Sequence, residues 1–180
     1  MMKRIEFLKS IILTAVMALG AMIYASAQNF PVPTGNPYQL FYLQRTPNTN
    51  TIVCELNVNK GVLNTEEPVH VFWIRYGEQG QREELSFIQR TFAYGIKSEK
   101  VSNDKYDLHF VSYKKYHMYL MKGANNKYNV YAPINQKQAI LERIFVKING
   151  GTFWKPNVEY VEIKGIDPGT GKEVTERMKI

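Results

Sequence analysis

An all-β fold, either an antiparallel sandwich or a partly closed barrel with one short accessory helix, is what this sequence predicts, and three observations carry the prediction. From Tyr38 onward, short runs rich in aromatic and β-branched residues alternate with Gly, Pro, Asn and Asp clusters, the rhythm of strands and turns. Several of those runs are apolar on both faces, as in Val69-His70-Val71-Phe72-Trp73-Ile74. Such a strand needs cover on both sides, from a second layer on one and from a helix, an arm or a ligand on the other. Only one segment carries a helical rather than a two-residue period.

In chain order, residues 1–27 read as an export leader. Lys3 and Arg4 form a positive start, an apolar run covers 11–23, and Ala25-Ser26-Ala27 is a small-x-small cleavage pattern. The run is too short for a spanning helix, so no transmembrane anchor is expected once the leader is removed. Residues 28–37 hold Pro31, Pro33, Gly35 and Pro37 and predict an extended arm. Residues 38–180 then form one β domain, a length within the usual range of roughly 100–200 residues per domain.

Candidate strands cover 39–45, 51–58, 69–76, 105–113, 116–122, 127–132, 139–148, 158–166 and 173–180. The turns between them have recognisable chemistry: Pro47-Asn48-Thr49-Asn50, Lys114-Lys115, Gly123-Ala124-Asn125-Asn126 and, most distinctly, Asp167-Pro168-Gly169-Thr170-Gly171. Proline presets one dihedral of that last loop, and both glycines tolerate positive φ. Over 83–92, Leu85, Ile88 and Phe92 recur at spacings of three and four, which predicts an amphipathic helix packed on the sheet.

The formal charge is +7, part of it in the leader, and the lysines are scattered. No stripe tracks a phosphate backbone, so nucleic acid is not an expected partner. The single Cys54 cannot form an internal bridge; it alternates with Ile52, Leu56 and Val58 on one strand face and reads as buried apolar filler.

Catalytic and metal signatures are sparse. None of His70, His109 and His117 has a ligand-type residue two positions further on, so no metal centre is expected, and no cofactor. Asp107 and His109 share a strand face and offer an imidazole–carboxylate pair. No Gly-x-Ser-x-Gly is present, and Gly150-Gly151 lacks the further glycines and helix of a phosphate cradle. Glu66-Glu67 and Glu83-Glu84 read as solvated charges. Aromatic rings are the feature most open to a functional reading, since they can stack on sugars or line an amphipathic pocket, although they also simply build sheets. Trp154, in the Gly/Pro-bounded loop Gly151-Thr152-Phe153-Trp154-Lys155-Pro156, is the first choice as a ligand-binding residue; Lys155, Trp73, Arg45 and Arg75 complete the candidate set.

Five segments together, Phe41-Tyr42-Leu43-Gln44-Arg45, Asn48-Thr49-Asn50-Thr51, Val71-Phe72-Trp73-Ile74-Arg75-Tyr76, Phe92-Ala93-Tyr94-Gly95 and Gly150-Gly151-Thr152-Phe153-Trp154, give the chain its family character. In these it resembles the exported bacterial proteins built on domain of unknown function 4833, from about Tyr38 to the C-terminus. The resemblance implies a small secreted or periplasmic β domain with no assigned reaction and no catalytic positions to transfer.

The reading that follows is a non-enzymatic, exported binding module, periplasmic or secreted, for an amphipathic or glycan-like ligand, its partner being a glycan, a lipid or another envelope protein. Two alternatives stay open: a hydrolase of envelope polymers using Asp107 with His109 or a carboxylate couple, and a structural partner within an exported assembly.

Overall fold

A computed structural model describes residues 30–123, 126–152 and 154–179. The expected leader lies outside the described residues, as does Phe153 of the Trp154 loop. Residues 33–180 form one compact unit. In chain order its elements are β1 (Gln39–Arg45), β2 (Thr51–Leu56), β3 (Val58–Asn59), β4 (Val62–Leu63), β5 (Val69–Ile74), β6 (Arg82–Glu84), α1 (Phe87–Phe92), β7 (Ile96–Ser102), β8 (Lys105–Phe110), β9 (Tyr113–Lys122), β10 (Tyr128–Ile134), β11 (Lys137–Gly151), β12 (Pro156–Ile166) and β13 (Glu173–Lys179). The fold is all-β, a strongly curled half-barrel with one short helix.

The curl follows from how β11 is shared. Along one edge β11 pairs with β12 from Ile140 to Gly151, and β13 follows β12. Its other edge serves two wings in succession. The first part, Lys137 to Ile140, holds β10, which leads to β9, β8 and β7; the second, Arg143 to Val146, holds β1, which leads to β2, β5 and β6. Two wings cannot leave one edge in one plane, so the sheet closes round a concave face. At the changeover Leu141 faces Gly165 but Arg143 already faces Lys164, a bulge in β11 that sharpens the local bend. The β1–β11 pairing is parallel, whereas the other strand pairs are antiparallel. A parallel pair needs a long connection, here nearly the whole domain, which a scan for hairpins does not detect.

The core spine is one register row across five strands: Trp73, Ile52, Leu43, Ile144 and Ile163. All five side chains are buried, and full burial of each such side chain stabilises by about 1.5–3 kcal/mol. On the opposite face Val53, Phe72 and Phe145 are buried too, so β5 is covered on both sides as its composition requires. Guanidinium groups lie over the outer rings, Arg82 at 3.6 Å from Phe72, Arg143 at 4.9 Å from Phe145 and Arg177 at 4.3 Å from Tyr160.

Three local expectations are corrected. Lys114-Lys115 is not a turn: Phe110 pairs with Tyr113, so Val111-Ser112 forms the loop and both lysines lie in β9. Helix α1 starts only at Phe87, because Arg82–Glu84 is drawn into β6 beside β5. Its side chains are not buried, and Ile88 and Phe92 are exposed; only Leu85, just before the N-cap, enters the core. In the loop from Asp167 to Gly171, only Gly171 takes positive φ, and Asp167 Oδ1 accepts the amides of Gly169 and Thr170.

Candidate functional site

The concave face of the half-barrel opens into a cleft of about 630 Å³, within the roughly 300–1,000 Å³ typical of small-molecule sites. Its floor is the inner row of the sheet: Leu43 from β1, Ile144 and Val146 from β11, Val158, Val161 and Ile163 from β12, and Met178 from β13. A strict two-residue period from Val161 would turn Glu159 inward. A β12 bulge prevents this, since Lys147 faces Tyr160 but Ile148 faces Val158, and Val158 takes the cleft position while Glu159 stays exposed. The facing wall comes from Phe92 at the end of α1, from Ala93 and Tyr94 just after it, and from Phe110, Ser112, Tyr113 and Tyr116 at the β8–β9 hairpin.

Trp154 stands at the mouth, 68% exposed, with its ring edge-on to Phe92 at 5.9 Å between centroids. Lys155 is exposed beside it, and its backbone amide donates to Thr152 Oγ1. Lys179 also lines the cleft. Of the wall hydroxyls, Ser112 Oγ donates to Ala93 O at 2.6 Å and Tyr116 Oη to Pro133 O at 3.0 Å. Burial pushes the Tyr116 phenol well above its ordinary pKa, with the Glu176 charge adding to it. Burial likewise raises the Tyr94 phenol against the opposing positive charge of nearby Arg45.

The remaining sequence-picked residues lie behind the cleft wall or elsewhere. Trp73 is 2% exposed in the core, edge-on to Tyr94 at 5.3 Å, with Nε1 donating to Gln89 Oε1. Arg75 lies 5.8 Å from the Trp73 ring and is held by Glu83 at 2.9 Å and Glu78 at 3.3 Å. Arg45 sits 5.9 Å from the Tyr94 ring centre. Asp107 is bound by His117, whose Nδ1 is 2.9 Å from both carboxylate oxygens, while the His109 ring is 6.1 Å from that of His117. Since Tyr106, Leu108 and Phe110 face the core, Asp107 and His109 lie on the side of β8 away from the cleft.

A second polar group was not legible in sequence because its members meet only across strands. Glu55 Oε1 accepts from Arg82 Nη2 at 2.6 Å and lies 3.0 Å from His70 Nδ1, and its Oε2 accepts from Asn36 Nδ2 at 2.6 Å. His70 Nε2 is 2.8 Å from Glu84 Oε2, so Glu84 is a network member rather than a merely solvated charge. Arg82 Nη2 is also 3.0 Å from His70 Nδ1, so Arg82, His70 and Glu55 meet at one point. Beside it, between β5 and β7, lies a smaller cavity of about 200 Å³. Among the described residues, no group of three His, Cys, Asp or Glu side chains is placed to hold a metal ion, and no helix is long and apolar enough to cross a membrane.

A family model, Domain of unknown function (DUF4833), matches residues 41–177. The chain belongs to the DUF4833 family. The match runs from the first core strand almost to the end of β13, so the DUF4833 unit includes the cleft floor up to Ile163 and the Trp154 loop. A search of the curated proteins found no match. A search of the solved structures found none either.

Proposed function

We propose that this DUF4833 chain is an exported, non-enzymatic binding module whose ligand enters the concave cleft. The cleft itself carries the reading: a soluble-sized β domain that leaves this much aliphatic and aromatic surface facing a single open cavity has left room for an apolar occupant. Trp154 and Phe92 stand at the entrance, where flat rings can lie against a ligand without leaving the sheet. The leader-like residues 1–27 support export. Hydrolysis is less favoured, because Asp107 and His109 point away from the cleft and the Glu55–His70 network is internally paired.

Titration with the dye 1-anilinonaphthalene-8-sulfonate tests this reading. Wild-type protein is expected to bind and brighten it, and Trp154→Ala to weaken binding about tenfold, the loss of a large aromatic contact. Dye binding unchanged by both Trp154→Ala and the cleft substitution Val161→Asp would remove the site.

A further inference from the structure

Resting on that reading, we infer that the cleft takes a single hydrocarbon chain carrying an anionic head, and not a glycan. Hydrogen-bonding capacity decides between the two. A sugar brings many hydroxyls, and each one taken from water without a partner costs about 1–3 kcal/mol. The floor is aliphatic, and two of the wall hydroxyls are already engaged inside the protein, Ser112 to Ala93 O and Tyr116 to Pro133 O. Tyr113 stands at the rim, 54% exposed. Nothing in the floor replaces the water a sugar would lose, whereas each buried methylene gains about 0.8 kcal/mol.

Charge sets the head. The bulge that swaps Glu159 for Val158 keeps a carboxylate out of the cleft. The charged residues at its opening are Lys179, which lines it, and Lys155, next to Trp154; neither has an ion pair among the described residues. An anionic head at the opening meets ammonium groups while its chain lies along the floor. A free fatty acid and a monoacyl phospholipid share this chemistry.

The test uses the full chain and follows Trp154 emission, with Trp154→Phe as the control that isolates it from Trp73. Saturated fatty acids of eight to sixteen carbons, below their micellar concentrations, are expected to bind about fourfold more tightly per added methylene until the cleft is full. Lys179→Glu is expected to weaken the fatty acid several-fold and to leave the alcohol of equal chain length unaffected. A lysophosphatidylglycerol arm distinguishes the sources: tighter binding than the acid of equal chain assigns the lipid, weaker binding the free acid. A flat chain-length series, or maltooligosaccharides shifting Trp154 emission where the acids do not, would overturn the inference while leaving a ligand cleft in place. If neither class nor the dye binds, the proposed function fails with it.

Discussion

Glu55 is the residue whose position most opposes its own chemistry. Its side chain is 12% exposed, and burial alone would raise its pKa; hydrogen bonds from Arg82, His70 and Asn36 outweigh that and hold the carboxyl below the ordinary glutamate range. A group with a depressed folded pKa contributes stability that is present above its unfolded value, roughly 4.3, and is lost as pH falls through the folded value. Glu55→Gln is therefore expected to lower stability at pH 7 and to flatten the acid limb below about pH 4.3. Urea unfolding of both proteins at pH 7 and pH 3 checks this, and equal acid losses in the two would remove Glu55 as a source of the acid limb. None of this network was legible in the sequence, because Glu55, His70 and Arg82 lie on three strands and only register brings them together. Trp154 is the opposite case. Its Gly/Pro-bounded loop marked it as unneeded for sheet packing, and it stands in the open at the cleft mouth.

At the scale of elements, α1 shows how a short helix persists without burying a face. Six residues are far below the length that is stable alone. The helix is fixed at its start by a capping box: Ser86 Oγ accepts the Gln89 amide and Gln89 Oε1 accepts the Ser86 amide at 2.9 Å, with the same oxygen 3.3 Å from Trp73 Nε1. Gln89→Ala removes the side-chain half of the capping box and the indole partner, leaving the Ser86 bond to the backbone amide. The expected outcome is a loss of about 1–3 kcal/mol and a weaker near-ultraviolet circular dichroism band from Trp73, with the far-ultraviolet β signal retained; an unchanged near-ultraviolet band would show that Gln89 does not hold the indole. The helix was legible as a period, but its first turn was not. Glu83 and Glu84 continue the spacing on paper, yet β5 offers a free edge and draws them into a strand. β6 and β7 escaped notice for a related reason. Both are terminal strands of the sheet path, rich in Lys, Arg, Glu and Ser, and edge strands held by one neighbour need no alternating apolar pattern.

For the whole molecule, the shared strand β11 is the element on which everything else hangs. Gly165 sits opposite its changeover, where an added Cβ would meet Ile140 O at 2.3 Å and Ile134 Cδ1 at 2.9 Å. Gly165→Ala is expected to destabilise the domain by about 1–3 kcal/mol, seen as a lower urea midpoint in one cooperative transition. A change confined to the β12–β13 hairpin, with the rest unfolding at the wild-type midpoint, would show that the wings do not depend on this junction. The strands other than the charged edge pair were readable because each carries its own composition; the cleft was not, since it exists only once two wings leave one edge. Cys54 lies at the centre of this body, fully buried, its thiol pushed far above the ordinary range by desolvation and by neighbouring Glu55. With no second sulfhydryl to meet and no access for oxidants, the barrel is built without reference to electron supply: glutathione-rich and air-exposed surroundings leave the same object.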